Sequence, residues 1–214
     1  QQLAALLDQD DMLAPHALSV MVEELRQYPD AQILYSDEDK IDGSGRRLDP
    51  HFKPAWSPDL LRSYNYICHL TVISTSLVRA VGGLRPGFGG AQDHDLILRC
   101  SERVEGDQIV HIPSILYHWR ATQGSTALGW AQKPYASEAG RRAVAEHLER
   151  TGMRGSVHVE PTGHFRIVLD TGSDAPTACI VIPTRDRIEL LRPCIESIRA
   201  KTEYPSYRIM VLDN

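Results

Sequence analysis

Three carboxylates follow directly on a strand-length apolar run in Leu3-Ala-Ala-Leu-Leu-Asp-Gln-Asp-Asp-Met-Leu13. Asp8 and Asp10 are two apart, so on an extended chain they share one side and can reach one hard divalent cation, Mg2+ or Mn2+. An EF-hand starting at Asp8 fits badly, because the turn-glycine position holds Leu13 and the closing-glutamate position holds Ser19. A D-x-D triplet also serves as an ordinary solvated turn, so its companions in the chain have to decide between the two.

Two further groups offer chemistry. Gln92-Asp93-His94-Asp95 opens a helical pattern directly after Leu84-Arg-Pro-Gly-Phe-Gly-Gly-Ala-Gln92, a loop with three glycines between Gly87 and Gly90. Asp93 there is either an N-terminal helix cap or a general base beside a backbone that permits close approach. The third group is Tyr117-His-Trp-Arg120, followed by Ser125 and Thr126. His118 is either a satisfied polar residue at a strand end or a metal ligand, with Arg120 two residues on as a cation for phosphate oxygens.

The elements that must position these groups read as an α/β pattern. Leu3 to Leu7 is expected to be a parallel strand with its carboxylates at the C-terminal end, where open α/β sheets bind ligands. A helix from about Pro15 to Gln27 follows, then a short strand Ile33–Tyr35 ending in the acidic Ser36-Asp-Glu-Asp-Lys40. Ser57-Pro58 caps a short helix, Cys68 to Ser74 alternates like a strand, and Ser76 to Val81 is helical. Two strands around Pro113, Ile109–Ile112 and Ile115–Trp119, precede a long amphipathic helix from Pro134 to about Arg150 and a hairpin around Gly163. Thr171-Gly-Ser-Asp-Ala-Pro176 reads as a linker. Beyond it, strand Ala178–Pro183, helix Arg185–Ala200 and strand Arg208–Leu212 form one right-handed βαβ unit.

Composition narrows the classes. The net charge of −5 and the lack of any Lys/Arg cluster argue against nucleic acid as a partner. Cys68, Cys100, Cys179 and Cys194 form no C-x-x-C pair, which suits reduced core thiols in a cytoplasmic protein better than zinc or disulfides. No apolar run approaches the ~18 residues of a membrane span.

Taken together, Leu-Leu-Asp-Gln-Asp-Asp, Gly-Gly-Ala-Gln-Asp-His-Asp-Leu and Tyr-His-Trp-Arg resemble a family-2 glycosyltransferase of the GT-A fold. The likeness is closest to the tandem-domain bacterial enzymes that assemble O-antigen and related surface polysaccharides. Tyr35-Ser-Asp-Glu-Asp-Lys-Ile-Asp42, Phe52-Lys-Pro54, Trp56-Ser-Pro-Asp-Leu-Leu61 and Lys133-Pro-Tyr135 add to it. The resemblance implies a mixed sheet with flanking helices and inverting transfer of a sugar from a nucleotide-diphosphate donor to a saccharide acceptor, at the inner face of the membrane. Asp8 and Asp10 match the family's metal-holding D-x-D, Asp93 its catalytic base, and His118 a position that completes the metal or diphosphate site with help from Arg120. Where the family often carries glutamate before the base, this chain has Gln92.

The order of motifs departs from the family. Ile182-Pro-Thr-Arg-Asp186 and Val211-Leu-Asp-Asn214, which help to build the nucleotide site at the start of such a domain, come last here. The expectation is a fragment straddling two domains: residues 1–170 as the metal and acceptor portion of one, 171–177 as linker, and 178–214 as the opening βαβ unit of the next. Thr184, Arg185 and Asp213 would then face a nucleotide in their own domain. The βαβ unit is also where a homo-oligomer contact is expected, docking beside Leu3–Leu7 of its own or a neighbouring chain. By itself the chain would bind donor poorly. Rival readings are a non-catalytic sugar- or nucleotide-binding module of the same fold and a metal phosphohydrolase, which would need more His and Asp ligands than the motifs supply.

Overall fold

The computed structural model describes residues 2–121, 134–170, 172 and 175–213. Ser125, Thr126, Lys133 and Asn214 lie outside the described residues. The chain divides into two compact units, Gln1–Leu169 and Asp170–Asn214, and each is described by itself.

The first unit is a mixed α/β structure. Strands β1 (Leu3–Ala5), β2 (Met12–Leu13), β3 (Ile33–Ile41), β5 (Thr71–Ser74) and β6 (Ile109–Arg120) form a sheet in the order β1-β5-β3-β6-β2, and β4 (Arg47–His51) pairs with β3. Only β3 and β6 run parallel. The acidic strand β1 sits at the edge and pairs antiparallel with β5, Leu3 opposite Ser74. The expectation of a parallel neighbour is therefore corrected, because the strand that hydrogen-bonds to β1 returns in the opposite direction.

Alternation along the central strands builds two cores. Ile33, Tyr35, Ile73 and Ile109 point to one face, where α2 (Pro58–Ser63), α3 (Thr75–Ala80), α4 (Gln92–Ser101) and α5 (Pro134–Arg150) pack with hairpin β7–β8 (Gly155–Val159, Phe165–Leu169). Leu34, Val72 and Val110 point to the other, against Ala17 and Met21 of α1 (Ala17–Gln27). Ser57 begins α2 as expected, its hydroxyl accepting from Leu60 N–H at 3.4 Å.

Three sequence expectations change. Strand β3 does not stop at Tyr35 but runs to Ile41, carrying Asp37, Glu38 and Asp39 into the interior. A buried carboxylate is tolerated only with a partner. Each has one: His111 Nε2 is 2.8 Å from Asp37, Lys53 Nζ is 3.2 Å from Glu38, and Arg47 Nε is 2.5 Å from Asp39. The two strands expected around Pro113 are one strand, β6, whose pairing jumps from Ser36–Ile112 to Asp37–Ile115. Pro113 occupies that bulge, where its missing N–H breaks no ladder bond. The strand expected from Cys68 begins only at Thr71.

The glycine loop meets helix α5. Gly90 has φ of +81°, and a Cβ there would come within 2.6 Å of the Ala136 Cβ. One turn on, a Cβ at Gly140 would come within 2.6 Å of the Phe165 ring. What approaches the loop closely is thus a helix of the same chain.

Helices α4 and α5 are joined by an ion cluster. Glu102 accepts from His147 Nδ1 at 2.7 Å and from Arg150 Nη2 at 2.7 Å. Burial alone would raise its carboxyl, but these bonds and the Arg150 charge hold it down at about 2. The Glu102 side chain is only 13% exposed. A depressed acid contributes stability that is present above its unfolded value of 4.5 and lost as pH falls toward 2, worth about 3 kcal/mol. Urea midpoints for wild type and Glu102→Gln should therefore differ at pH 6 and converge by about pH 2. A gap that stays constant across that range would contradict the assignment.

The second unit pairs β9 (Ala178–Thr184) with β10 (Tyr207–Asp213) in parallel across α6 (Ile188–Lys201). Ile188, Leu190, Val181 and Leu212 remain exposed on it. The expectation of core thiols holds for Cys100, which is buried, whereas Cys179 and Cys194 are exposed because the one-helix unit has no second layer to cover them. Among the described residues no helix is long and apolar enough to cross a membrane.

Candidate functional site

A cleft of about 450 Å3 opens where the end of β1, the segment Tyr64–His69, the start of α4 and the end of β6 meet. That volume suits a small ligand. Its walls are largely apolar, with Leu6, Trp119 and Phe165, and its polar groups include Asp8, Asn65, Cys68, His69, Gln92 and Asp93.

The turn after β1 is locked from β6. Asp11 N–H donates to Asp8 O at 3.2 Å, closing the turn. The backbone N–H of Arg120 donates to Asp11 Oδ1 at 2.7 Å, and its Nε donates to the carbonyl of Asp10 at 2.6 Å. Tyr117 accepts from Asp8 N–H at 3.2 Å and donates its own hydroxyl to Asp11 Oδ2. Burial raises the Asp11 carboxyl, and the bonds from Arg120 and Tyr117 oppose that rise only in part. Arg120 thus acts on the backbone of the acidic turn.

The side chains gathered at this turn differ from the sequence expectation. Asp8, Asp11 and His69 place one ligand atom each within 4.8 Å of one another. Asp10 is exposed and outside this group. His118 is buried with its Nδ1 2.5 Å from Asp39 Oδ1, and it too lies outside this group. A pleated strand would have placed residues 8 and 10 on one side, but the chain leaves extended geometry at Asp8 and turns, which brings 8 and 11 together instead.

The donor set fits a divalent cation. Two carboxylate oxygens and an imidazole nitrogen gathered within 4.8 Å of one another are the donor types that divalent ions accept, and the three would draw closer around a bound ion. The Nδ1 atom of His69 is buried with no hydrogen-bond partner among the described residues, which is unusual for an interior polar atom.

In the same cleft, the first turn of helix α4 sorts Asp93, His94 and Asp95 by direction. Asp93 faces the cleft, accepting from Asn65 Nδ2 at 2.8 Å, with the Cys68 sulfur 4.0 Å from the same oxygen. Asn65 is fixed in turn, because its Oδ1 accepts from Cys68 N–H at 3.3 Å. Burial, and then the Glu38 and Asp93 charges, push the Cys68 thiol up, so it stays protonated and is no nucleophile. His94 points inward and pairs with the Leu61 carbonyl at 2.7 Å, and burial draws its pKa down. Asp95 is wholly buried between Arg85 and Arg99 and is held below the ordinary carboxylate range by them. Gln92 accepts from Gly90 N–H at 2.7 Å, securing the loop to the helix start. Of the two acids on α4, Asp93 is the one left with a carboxylate oxygen that no protein donor occupies among the described residues.

Asn65 and His69 went unnoticed in the sequence because they lie in the irregular segment before β5. Two polar residues in the otherwise largely apolar Tyr64-Asn-Tyr-Ile-Cys-His-Leu70 were the available signal.

In the second unit, a hollow of about 460 Å3 lies at the C-terminal ends of the parallel strands, lined by Thr184 and Asp213, which are paired in register. Arg185 is not among its walls, and Asp186 and Arg187 take that place.

No protein-family model matches the chain. Two curated relatives align with nearly all of it. "Uncharacterized protein y4gI" of Sinorhizobium fredii (strain NBRC 101917 / NGR234) is 50% identical over 211 residues, covering 98% of this chain and 23% of the relative. "O-antigen biosynthesis protein RfbC" of Myxococcus xanthus is 40% identical over 208 residues, covering 97% of this chain and 16% of the relative. The chain therefore spans less than a quarter of the length of either relative.

Proposed function

We propose that the chain is the metal- and acceptor-binding part of an inverting GT-A glycosyltransferase that acts in bacterial polysaccharide synthesis. One observation carries this reading: Asp8 at the end of β1 and Asp93 at the start of α4 line the same cleft. The 40% identity to a protein named for O-antigen biosynthesis supports the pathway class.

The chemistry suits these residue types. An acceptor hydroxyl gives its proton to the free oxygen of Asp93 as its own oxygen bonds to the anomeric carbon of the donor sugar. The bond from that carbon to the diphosphate oxygen breaks, and its electron pair leaves with the nucleoside diphosphate. A Mg2+ or Mn2+ ion held by Asp8 and Asp11 would offset the charge that grows on this leaving group. Asn65 holds Asp93 by one oxygen and leaves the other for the acceptor. No side-chain nucleophile is required for single displacement, which fits a cleft whose thiol is kept protonated.

The hollow beside Thr184 and Asp213 is assigned by the same reading to a nucleotide of its own domain. The test, made on the whole protein of which the chain is proposed to be a part, is a panel of nucleotide-sugars with Mn2+ and oligosaccharide acceptors, followed by release of nucleoside diphosphate and by mass of the acceptor. Acceptor-dependent release with an acceptor heavier by one sugar is expected. Donor binding without transfer would mark a non-catalytic module, and release at the same rate without acceptor would mark a hydrolase.

A further inference from the structure

We propose that His69, rather than His118, supplies the third side chain to a cation held with Asp8 and Asp11, and that its nitrogen makes the site prefer Mn2+ to Mg2+. This rests on the transferase reading for the purpose of the cation, not for its coordination.

Four observations converge on His69. Its ligand atom is within 4.8 Å of those of both carboxylates, and its Nε2 is 4.0 Å from Asp8 Oδ2. The residue is 7% exposed, yet Nδ1 has no partner among the described residues, so the imidazole makes no protein hydrogen bond that would compete with a ligand. The ring is held in place by stacking on Tyr117, with centroids 4.5 Å apart and planes 12° off parallel, and by an edge contact with Trp119 at 5.6 Å. Its backbone is clamped as well: His69 N–H donates to Glu38 Oε2 at 3.1 Å, and its carbonyl accepts from Lys53 Nζ.

Stacking and the clamped backbone fix the ring's orientation, the part that a hydrogen bond to the second ring nitrogen plays at many metal-binding histidines. The competing imidazole, His118, lies against Asp39 and is not among the side chains gathered with Asp8 and Asp11. Tyr117 serves both sides of the site, since it donates to Asp11 and stacks on His69.

An imidazole in place of an oxygen ligand changes which ion the site favours. Mg2+ is suited by carboxylate, carbonyl and water oxygens, whereas nitrogen donors favour transition metals, of which Mn2+ is the weakest binder but still ahead of Mg2+ at such a site.

The experiment is titration of the 214-residue chain with Mn2+ and with Mg2+, each alone, followed by EPR of free Mn2+ and by electron spin-echo modulation of the bound ion. Wild type should bind Mn2+ more tightly than Mg2+ and show nitrogen-14 modulation. His69→Ala should weaken Mn2+ by at least about 10-fold, the scale on which even outer-shell changes act, with little change for Mg2+. His69→Asn, which keeps an oxygen donor and most of the bulk, should retain Mn2+ but lose the nitrogen signal. His118→Asn should keep that signal. Modulation absent from wild type, or surviving in both His69 variants, overturns the assignment, as does a chain that binds neither ion. Acceptor-dependent transfer with nitrogen-free Mn2+ would remove His69 and leave the transferase standing. Mn2+ bound through His69 without any transfer would do the reverse.

Discussion

Replacing Asp93 by asparagine is expected to lower sugar transfer by about 10²–10⁴-fold, the usual worth of a positioned general base. The variant is informative because it is nearly isosteric and its neighbourhood can stay intact. Asn65 Nδ2 donates to one Asp93 oxygen, and an asparagine carbonyl can accept the same bond. The proposed cation ligands Asp8, Asp11 and His69 lie on other segments of the chain. Donor binding and thermal stability should therefore change little while turnover falls. Full activity in Asp93→Asn would remove the base assignment. A parallel loss of donor affinity would relocate Asp93 to donor binding.

The same geometry explains why neighbouring acids are poor substitutes. Asp95 is two residues away, but helical rotation turns it into the interior, where Arg85 and Arg99 occupy both of its oxygens. Asp8 belongs to the turn after β1, with Asp11 and His69. A base must meet the acceptor proton with a free oxygen, and on α4 only the first-turn residue that looks out into the cleft does so.

How far the sequence foretold this site depends on what kind of residue each position holds. Asp8 and Asp93 were legible because both sit at element boundaries, where an apolar strand or a glycine loop gives way to charge. Their meeting in one cleft follows from the α/β pattern. The choice of partners was not legible in the same way. Asp10 and His118 have the right types and spacing, but spacing describes a regular strand, and the chain turns at Asp8. Which imidazole joins the acidic turn depends on contacts far apart in the chain, and His118 lies against Asp39, 79 residues away, outside the group at the turn. His69 was hidden for the opposite reason. It precedes an apolar strand and reads as an ordinary neighbour of the core. The acidic run Ser36–Lys40 misled similarly: exposed charge and buried paired charge look alike until Lys53, Arg47 and His111 are seen to answer it. In the second unit the register alone brings Thr184 beside Asp213, so that pair could be read from two strands and a helix.

Lys53→Met is expected to cost about 3–5 kcal/mol of stability, the penalty of stripping one partner from a buried ion pair. Phe52-Lys-Pro54 enters the interior only at the lysine: the Lys53 side chain is fully buried, whereas Phe52 is 70% exposed. All three ammonium protons of Lys53 find acceptors, at Glu38 Oε2, at the Ile67 carbonyl 2.6 Å away and at the His69 carbonyl. Burial draws the lysine below its ordinary value and would raise Glu38, but the bond from His51 and the Lys53 charge keep that carboxyl below its usual range. Methionine fills the stem's volume and removes every one of these bonds, leaving Glu38 charged in the interior and two carbonyls without a donor. Those carbonyls belong to the segment that carries His69 into the cleft, so the loss reaches the site and not only the fold. Urea denaturation should show the destabilisation, and the double variant Lys53→Met/Glu38→Gln should recover part of it by removing the unpaired charge. In the single variant Mn2+ affinity should also fall, because the backbone that presents His69 is no longer clamped. A Lys53→Met chain as stable as wild type, with unchanged Mn2+ binding, would mean that the buried pair neither secures the fold nor positions the imidazole.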